Sequence, residues 1–232
     1  MMIMKFGVVT FPGSNCDEDM VYVLESLLSQ KVERLWHKDT DLKGVDFVVL
    51  PGGFSYGDYL RSGAIAKLSP IMEKVIDHAN NGGYVLGVCN GFQILTETGL
   101  LKGALLHNDN QKFICKNVYL KTESQESGMT KNLSLDKAYK IPIAHGEGRY
   151  FAPQADIDKL NESNQILFRY CGEDGKVVGE ANPNGSEEGI AGICNEGRNV
   201  FGMMPHPERA ADKTLANEDG LAMFESIIAN CN

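Results

Sequence analysis

Cys89 stands between two glycines in Gly87-Val88-Cys89-Asn90-Gly91. An apolar run, Tyr84-Val85-Leu86, precedes it, and helical periodicity begins at Phe92-Gln93-Ile94-Leu95. A glycine on each side of a nucleophile-type residue, at a strand-to-helix turn, is the nucleophile-elbow pattern with cysteine in place of serine. The glycines leave room for a sharp, strained turn that lifts the thiol to the top of a sheet. The helix start beyond it places partial positive charge near the sulfur. A thiol so placed can attack a carbonyl carbon. Taken alone, the pentapeptide also fits a buried free cysteine, the usual fate of a lone Cys.

A cysteine nucleophile needs a base, and the base needs an orienter. Of the five histidines, His37 and His78 read as surface or helix-terminal residues and His107 lies in a polar loop. His145 sits in Ala144-His145-Gly146-Glu147-Gly148, a glycine-rich turn after a strand. His206 is the best base. It lies in Met204-Pro205-His206-Pro207-Glu208-Arg209, directly after an apolar strand. Two prolines would hold this segment extended, so that residues i and i+2 point the same way. Glu208 would then accept the proton of one ring nitrogen of His206 and leave the other for the thiol. A solvated proline-rich loop is the plainer account of this stretch by itself.

Attack by sulfur on a carboxamide creates an oxyanion, which needs donors. Pro51-Gly52-Gly53-Phe54-Ser55-Tyr56-Gly57-Asp58 follows a buried strand and can turn backbone N–H groups toward a ligand. The N–H groups of Gly53 and of Asn90, next after the nucleophile, are the candidate donors. A plain turn is the alternative for a lone Gly-Gly.

These residues need elements to carry them. Lys5–Thr10, Val32–Trp36, Val45–Leu50 and Tyr84–Val88 read as strands; Asp17–Leu28, Ala64–Ala79 and Gly91–Thr98 read as helices between them or after them. Alternation of this kind means βαβ units and a parallel sheet. The second half changes character. Phe113–Leu120, Lys140–Ala144, Gln165–Cys171, Val177–Ala181, Gly189–Cys194 and Asn199–Met203 read as strands without helices between them, and Glu218–Ala229 as a terminal helix. The expected fold is therefore α/β: an open sheet with a parallel core, additional antiparallel or mixed strands, and helices on both faces. Ligands of doubly wound sheets bind beyond the carboxyl ends of the strands. The loops at Pro12-Gly13, Pro51-Gly52-Gly53 and Cys89 converge there.

Composition narrows the partners. The chain has 232 residues and a net charge of −9, with no Lys/Arg cluster, which argues against nucleic acid. No apolar run approaches the ~18 residues of a membrane span. The apolar opening 1–11 carries Lys5 in its middle and reads as a first strand, not a signal peptide. Six scattered cysteines contain no C-x-x-C pair. They match no zinc spacing and no disulfide scaffold, so no metal and a cytoplasmic setting are expected. No repeat or linker interrupts the chain, so one domain over 1–232 is the simplest organisation.

Pro51-Gly52-Gly53, Gly87-Val88-Cys89-Asn90-Gly91-Phe92-Gln93 and Pro205-His206-Pro207-Glu208, in that order, resemble the class I (triad) glutamine amidotransferases, of flavodoxin-like fold. Phe11-Pro12-Gly13-Ser14-Asn15-Cys16-Asp17 and His145-Gly146-Glu147-Gly148 extend the resemblance toward the small glutaminase subunits of purine biosynthesis, from Lys5 to about Asn230. The resemblance implies Cys89 as nucleophile, His206 as acid/base and Glu208 as its orienter. It implies that Gln93 reaches the L-glutamine substrate, that Gly53 lines the oxyanion hole, and that His145 and Gly146 approach the amino-acid end of glutamine. Cys16, before a helix start rich in capping residues, reads as structural or interfacial. The resemblance further implies a large synthetase subunit, possibly with a small accessory subunit. That partner would carry ATP and magnesium and use the ammonia to turn formylglycinamide ribonucleotide into its amidine. This chain needs no cofactor and has no Walker-type phosphate loop.

Three other readings compete. The chain could serve a different ammonia-using synthetase. A Cys-dependent flavodoxin-like hydrolase would carry the elbow cysteine but would not need His206. A non-catalytic interaction subunit would need none of Cys89, His206 and Glu208.

Overall fold

The structure, a computed structural model, describes residues 3–231; Met1 and Met2 of the opening apolar run lie outside them. The chain runs β1 (Lys5–Thr10), α1 (Asp17–Tyr22), β2 (Lys31–Trp36), β3 (Phe47–Leu50), α2 (Pro70–Asn80), β4 (Tyr84–Val88) and α3 (Asn90–Glu97). It continues through β5 (Ala104–Leu106), β6 (Ile114–Thr122), β7 (Ala138–His145), β8 (Arg149–Phe151), α4 (Gln154–Glu162), β9 (Ile166–Cys171), β10 (Ile190–Cys194), β11 (Val200–Met203) and α5 (Leu221–Asn230).

Nine strands form one sheet in the order β2-β1-β3-β4-β11-β10-β9-β6-β7. The first five are parallel: β1 pairs β2 and β3, and β4 pairs β3 and β11. Their order is that of the flavodoxin-like doubly wound sheet, with β11 in the fifth place. The other four extend it antiparallel. β3, β4 and β11 are apolar almost throughout because they are covered on both faces; Phe47, Tyr84 and Phe201 stack across them.

Several sequence expectations need correction. Asn199–Met203 was grouped with the antiparallel or mixed extension, but β11 belongs to the parallel core. The helix expected over Asp17–Leu28 widens after Tyr22 into a π-helical turn, Val23–Leu27, with Leu28 N–H donating to Val23 O at 3.1 Å. The helix expected over Ala64–Ala79 is broken at Ser69 (φ −66°, ψ 142°), because the residue before a proline is pushed out of the helical region, and α2 starts afresh at Pro70. Val177–Ala181 is not a strand; it ends in a short 3₁₀ turn, with Val177 and Val178 exposed. α4 lies where only strands were expected. Its apolar contribution is just Ile157 and Leu160, too sparse a stripe to read against the polar residues around it. The two-stranded β5-β8 ribbon leaves no periodic signal in the sequence, each strand being three residues long.

α3 begins against the backbone of its own sheet. A Cβ on Gly91 would collide with the Leu50 carbonyl oxygen, and one on Gly87 would lie 2.6 Å from Gly91 C and O. Gly91→Ala is therefore expected to destabilise the fold by about 1–3 kcal/mol through overpacking. This would occur although alanine gains ~1 kcal/mol of intrinsic helix preference over glycine. Denaturant midpoints at constant slope test it; an unchanged or raised midpoint would refute the close seating.

Candidate active site

Neighbouring parallel strands end at the same edge, and this brings the residues together. β4 ends at Val88, so Cys89 is the first residue past it. β11 ends at Met203, paired with Val88, and His206 follows three residues later. β3 flanks β4 on its other side, Leu50 opposite Gly87, and Gly53 follows three residues after Leu50. β7, the far edge strand, returns over the same point: His206 N–H donates to Pro142 O at 2.8 Å.

Cys89 adopts φ 49° and ψ −106°, a strained combination for a non-glycine residue. Its N–H donates to Met203 O at 2.8 Å; the residue is 5% exposed, and its sulfur lies 3.9 Å from Ala144 O. The two flanking glycines carry no positive φ. They supply space, and Cys89 itself holds the strain.

His206 and Glu208 are buried, and His206 Nδ1 donates to Glu208 Oε1 at 2.6 Å. The expected partnership is present on a different backbone. Pro207–Ala210 is a 3₁₀ turn closed by Arg209 N–H on His206 O, not an extended segment. Burial would push the imidazole down, but Glu208, Cys89 and Cys16 outweigh it and hold His206 well above its ordinary value. Cys89 stands beside the ring, yet Nε2 makes no aligned hydrogen bond among the described residues. Such contacts commonly tighten only with substrate bound.

Gly53 has φ 138°, and a Cβ there would lie 2.8 Å from Asn15 N, so the loop packs against Ser14-Asn15 only as glycine. Among the described residues neither the Gly53 nor the Asn90 N–H finds an acceptor. The Asn90 side chain accepts from Ser55 N–H at 3.2 Å and donates to Gln93 Oε1 at 2.9 Å; Gln93 Nε2 donates to Glu147 O at 2.6 Å. Gln93 thus lines the cavity with its amide engaged inside the protein.

Cys89, Gly53, Gln93, His145 and Gly146 line one cavity of about 150 Å³. Asn108 Oδ1 accepts from Gly148 N–H at 3.1 Å and from His145 Nδ1 at 3.0 Å. This assigns the ring proton to Nδ1 and leaves Nε2 an acceptor. Burial first, and His206 second, push His145 down to about 4, so the ring is neutral. Asp58 and Glu147 line the same cavity without being among the expected site residues; their only sequence signal is a carboxylate inside each glycine-rich loop. His37 is buried, not at the surface, and meets Tyr56 Oη at 2.6 Å. His78 is half-buried against Gly83.

Cys16 adjoins the centre. Ligand atoms of Cys16, His206 and Glu208 lie within 4.8 Å of one another, a spacing that could hold a metal ion. Cys16 Sγ already has a partner, and His206 Nδ1 and Glu208 Oε1 bond each other. Arg209 Nη2 donates to Cys16 Sγ at 3.1 Å while Arg209 Nε holds Asp19 at 3.0 Å, and a guanidinium beside the thiol opposes a second cation.

A doubly wound sheet thus gathers Cys89, His206 and Glu208 at its carboxyl edge, the arrangement that a cysteine–histidine–glutamate triad needs. Residues 4–227 match the CobB/CobQ-like glutamine amidotransferase domain, and the chain belongs to that family. It is 57% identical to phosphoribosylformylglycinamidine synthase subunit PurQ of a Synechocystis species, over 96% of this chain and 99% of that protein. It is 54% identical to the protein of the same name from Koribacter versatilis, over 97% of each. Among solved structures, a chain of PurLQS from Thermotoga maritima superposes with a TM-score of 0.88 at 41% identity, covering 100% of both chains.

Cys115 is the exposed cysteine, whereas Cys89 is buried at the base of the cavity. A small non-specific alkylating reagent is therefore expected to modify Cys115 first. A diazo-ketone analogue of glutamine is expected to modify Cys89 first. Peptide mass spectrometry reads both; glutamine-like labelling chiefly at Cys16 or Cys115 would overturn the assignment of Cys89.

Proposed function

We propose that this chain is the glutaminase subunit of a purine-biosynthetic synthase, cleaving L-glutamine at Cys89 and delivering ammonia to a separate synthetase. The observation that carries the chemistry is the convergence of Cys89, the His206–Glu208 pair and the Gly53 and Asn90 N–H groups at one sheet edge. The particular reaction rests on full-length similarity to proteins named phosphoribosylformylglycinamidine synthase subunit PurQ. One continuous sheet and core support a single domain over 1–232.

In this mechanism the thiol proton of Cys89 passes to His206 Nε2 and the sulfur attacks the γ-carboxamide carbon. The oxyanion is held by the N–H groups of Gly53 and Asn90. His206 gives its proton to the leaving nitrogen, so ammonia departs and a γ-glutamyl thioester remains. Water then attacks the thioester with His206 as base, releasing glutamate and restoring the thiol. Glu208 fixes the ring through Nδ1 and does not itself carry the proton. The partner synthetase, with a small accessory subunit, would bind ATP and magnesium and aminate formylglycinamide ribonucleotide. The described residues contain no helix long and apolar enough to cross a membrane, which accords with a cytoplasmic site of action.

The loop after Gly53 supports control by the partner. Tyr56, Asp58 and Leu60 all have positive φ, and Tyr59 and Leu60 expose their side chains. A docked synthetase would cover these apolar groups and set the Gly53 donor, whose misplacement by about 1 Å can cost ~10²-fold in rate.

Cys89→Ala is expected to abolish glutamine-dependent amidine synthesis in the reconstituted complex while synthesis from ammonium salt persists. Loss of both would place part of the synthetase site on this chain. His206→Ala should remove glutamine hydrolysis almost completely, and Glu208→Gln should leave measurable activity. Full activity in His206→Ala would favour a flavodoxin-like hydrolase of another kind. The isolated chain should hydrolyse glutamine slowly and speed up with its partner; full speed alone would remove the gating while leaving the triad in place.

A further inference from the structure

Asp58 and Glu147 form an acidic end to the cavity that holds Cys89. Asp58 belongs to the loop after β3 and Glu147 to the turn after β7, so two separate segments bring the carboxylates together. Asp58 Oδ1 accepts from Asn90 Nδ2 at 3.3 Å, and Asp58 is also bonded by Ser62. Glu147 Oε2 accepts from Ser62 N–H at 3.4 Å. Serine and asparagine dipoles therefore orient both groups, but no lysine or arginine lines this cavity among the described residues. Along the chain the nearest arginines are Arg61, which is turned to Glu97, and Arg149, which does not line the cavity. Among the described residues the ion-pair partner of Glu147 is the exposed His107, at 3.4 Å and charged only when protonated.

Paired carboxylates without a fixed cation repel each other and stand ready for a positive ligand. Glutamine offers one: its α-ammonium, at the end of the molecule away from the reacting amide. We infer that Asp58 and Glu147 are the receptor for the α-ammonium of the amino-acid substrate, and that they make the site selective for a free α-amino acid over other primary amides. This rests on reading the cavity as the glutamine site. The buried neighbour His145 stays neutral and adds no competing cation. The substrate's α-carboxylate then faces the mouth, toward His107.

The free protein carries a cost that supports this role. Burial, and the Glu147 charge beyond it, push Asp58 up to about 6 against the hydrogen bonds from Ser62 and Asn90. A carboxyl whose value is raised on folding destabilises the folded chain once ionised; its cost builds as pH rises from the ordinary value of 3.8 and is complete above about 6. Asp58→Asn should raise the melting temperature above that pH and change it little near pH 4.

The deciding experiment measures kcat and KM in the reconstituted complex for L-glutamine and for 4-carbamoylbutanoate, which has the same amide and no α-ammonium. The wild type should prefer glutamine strongly. Asp58→Asn and Glu147→Gln should each raise KM for glutamine more than they lower kcat, and the preference should fall about 10- to 100-fold, as loss of a charge-assisted hydrogen bond implies. Binding without turnover gives a second readout. Glutamine should raise the melting temperature of the complex carrying Cys89→Ala, and less so when Asp58→Asn is added. An unchanged preference in both carboxylate variants, or undiminished stabilisation by glutamine, would overturn the receptor. A wild-type complex unable to hydrolyse glutamine would instead refute the function on which it rests.

Discussion

A Cβ on Gly91 would collide with the carbonyl oxygen of Leu50, so the first turn of α3 rests directly on the backbone of β3. Gly87 plays the same part from within β4. With helix and strand this close, Cys89 must join them at φ 49° and ψ −106°. A non-glycine residue in such a region costs on the order of 1–3 kcal/mol, and it persists only when its surroundings over-determine it. They do so here. Cys89 N–H is bonded to Met203 O, Gln93 N–H to Cys89 O, and α3 is buried over Asn90–Leu95. The same constraint aims the sulfur out of the sheet, starts a helix beside it, and leaves the Asn90 N–H free for a ligand.

The His206–Glu208 pair is a second commitment of folding energy. Both groups leave water, and a buried ion pair is often no better for stability than apolar residues of the same volume. Here two polar atoms, His206 Nε2 and Glu208 Oε2, are buried without partners among the described residues. An apolar replacement would satisfy packing and remove both orphans. The arrangement makes physical sense if Nε2 is kept open for a proton exchanged with thiol and substrate. Arg209 and Cys16 sit behind the pair, and the Asp19–Arg209 contact ties that wall to α1.

The parallel half of this architecture was legible because its signals are local. Apolar runs marked β1, β3 and β4, and glycine-rich loops marked their carboxyl ends. Spacing offered the elbow at Cys89 and the partnership of His206 with Glu208 as candidates, and the family resemblance singled them out, though the 3₁₀ turn that carries the His206–Glu208 contact had no sequence signal. Pro70 was a readable break that the apolar stripe from Ile65 to Ala79 obscured. The π-helical turn in 23–27 depends on tertiary seating, and no residue type announces it. α4 is mostly polar and lies against the core through two side chains, so periodicity had little to detect. Asp58 and Glu147 were out of reach for another reason. Their meaning lies in their proximity, which needs β7 at the far edge of a nine-stranded sheet to return over β4.

That return is what the antiparallel extension contributes. The parallel half alone supplies the thiol, the His206 turn and the Gly53 loop, the groups that the proposed attack on an amide calls for. It supplies little to recognise the rest of a substrate. β7 closes the cavity with Ala144, His145 and the turn after it, and a relay of side-chain amides joins the parts. Ser55 N–H bonds Asn90, Asn90 bonds Gln93, and Gln93 bonds Glu147 O. The donor loop after β3, the elbow helix and the turn that carries Glu147 therefore share one chain of hydrogen bonds. A ligand or partner that shifts one of these segments must strain or break a buried bond to leave the others in place, and that costs about 1–3 kcal/mol per group left unpaired. Recognition at the acidic end and donor placement at the thiol are thus mechanically coupled. Through that coupling, occupancy by a complete amino acid, or contact with a partner at Tyr59 and Leu60, can be felt at the oxyanion donors.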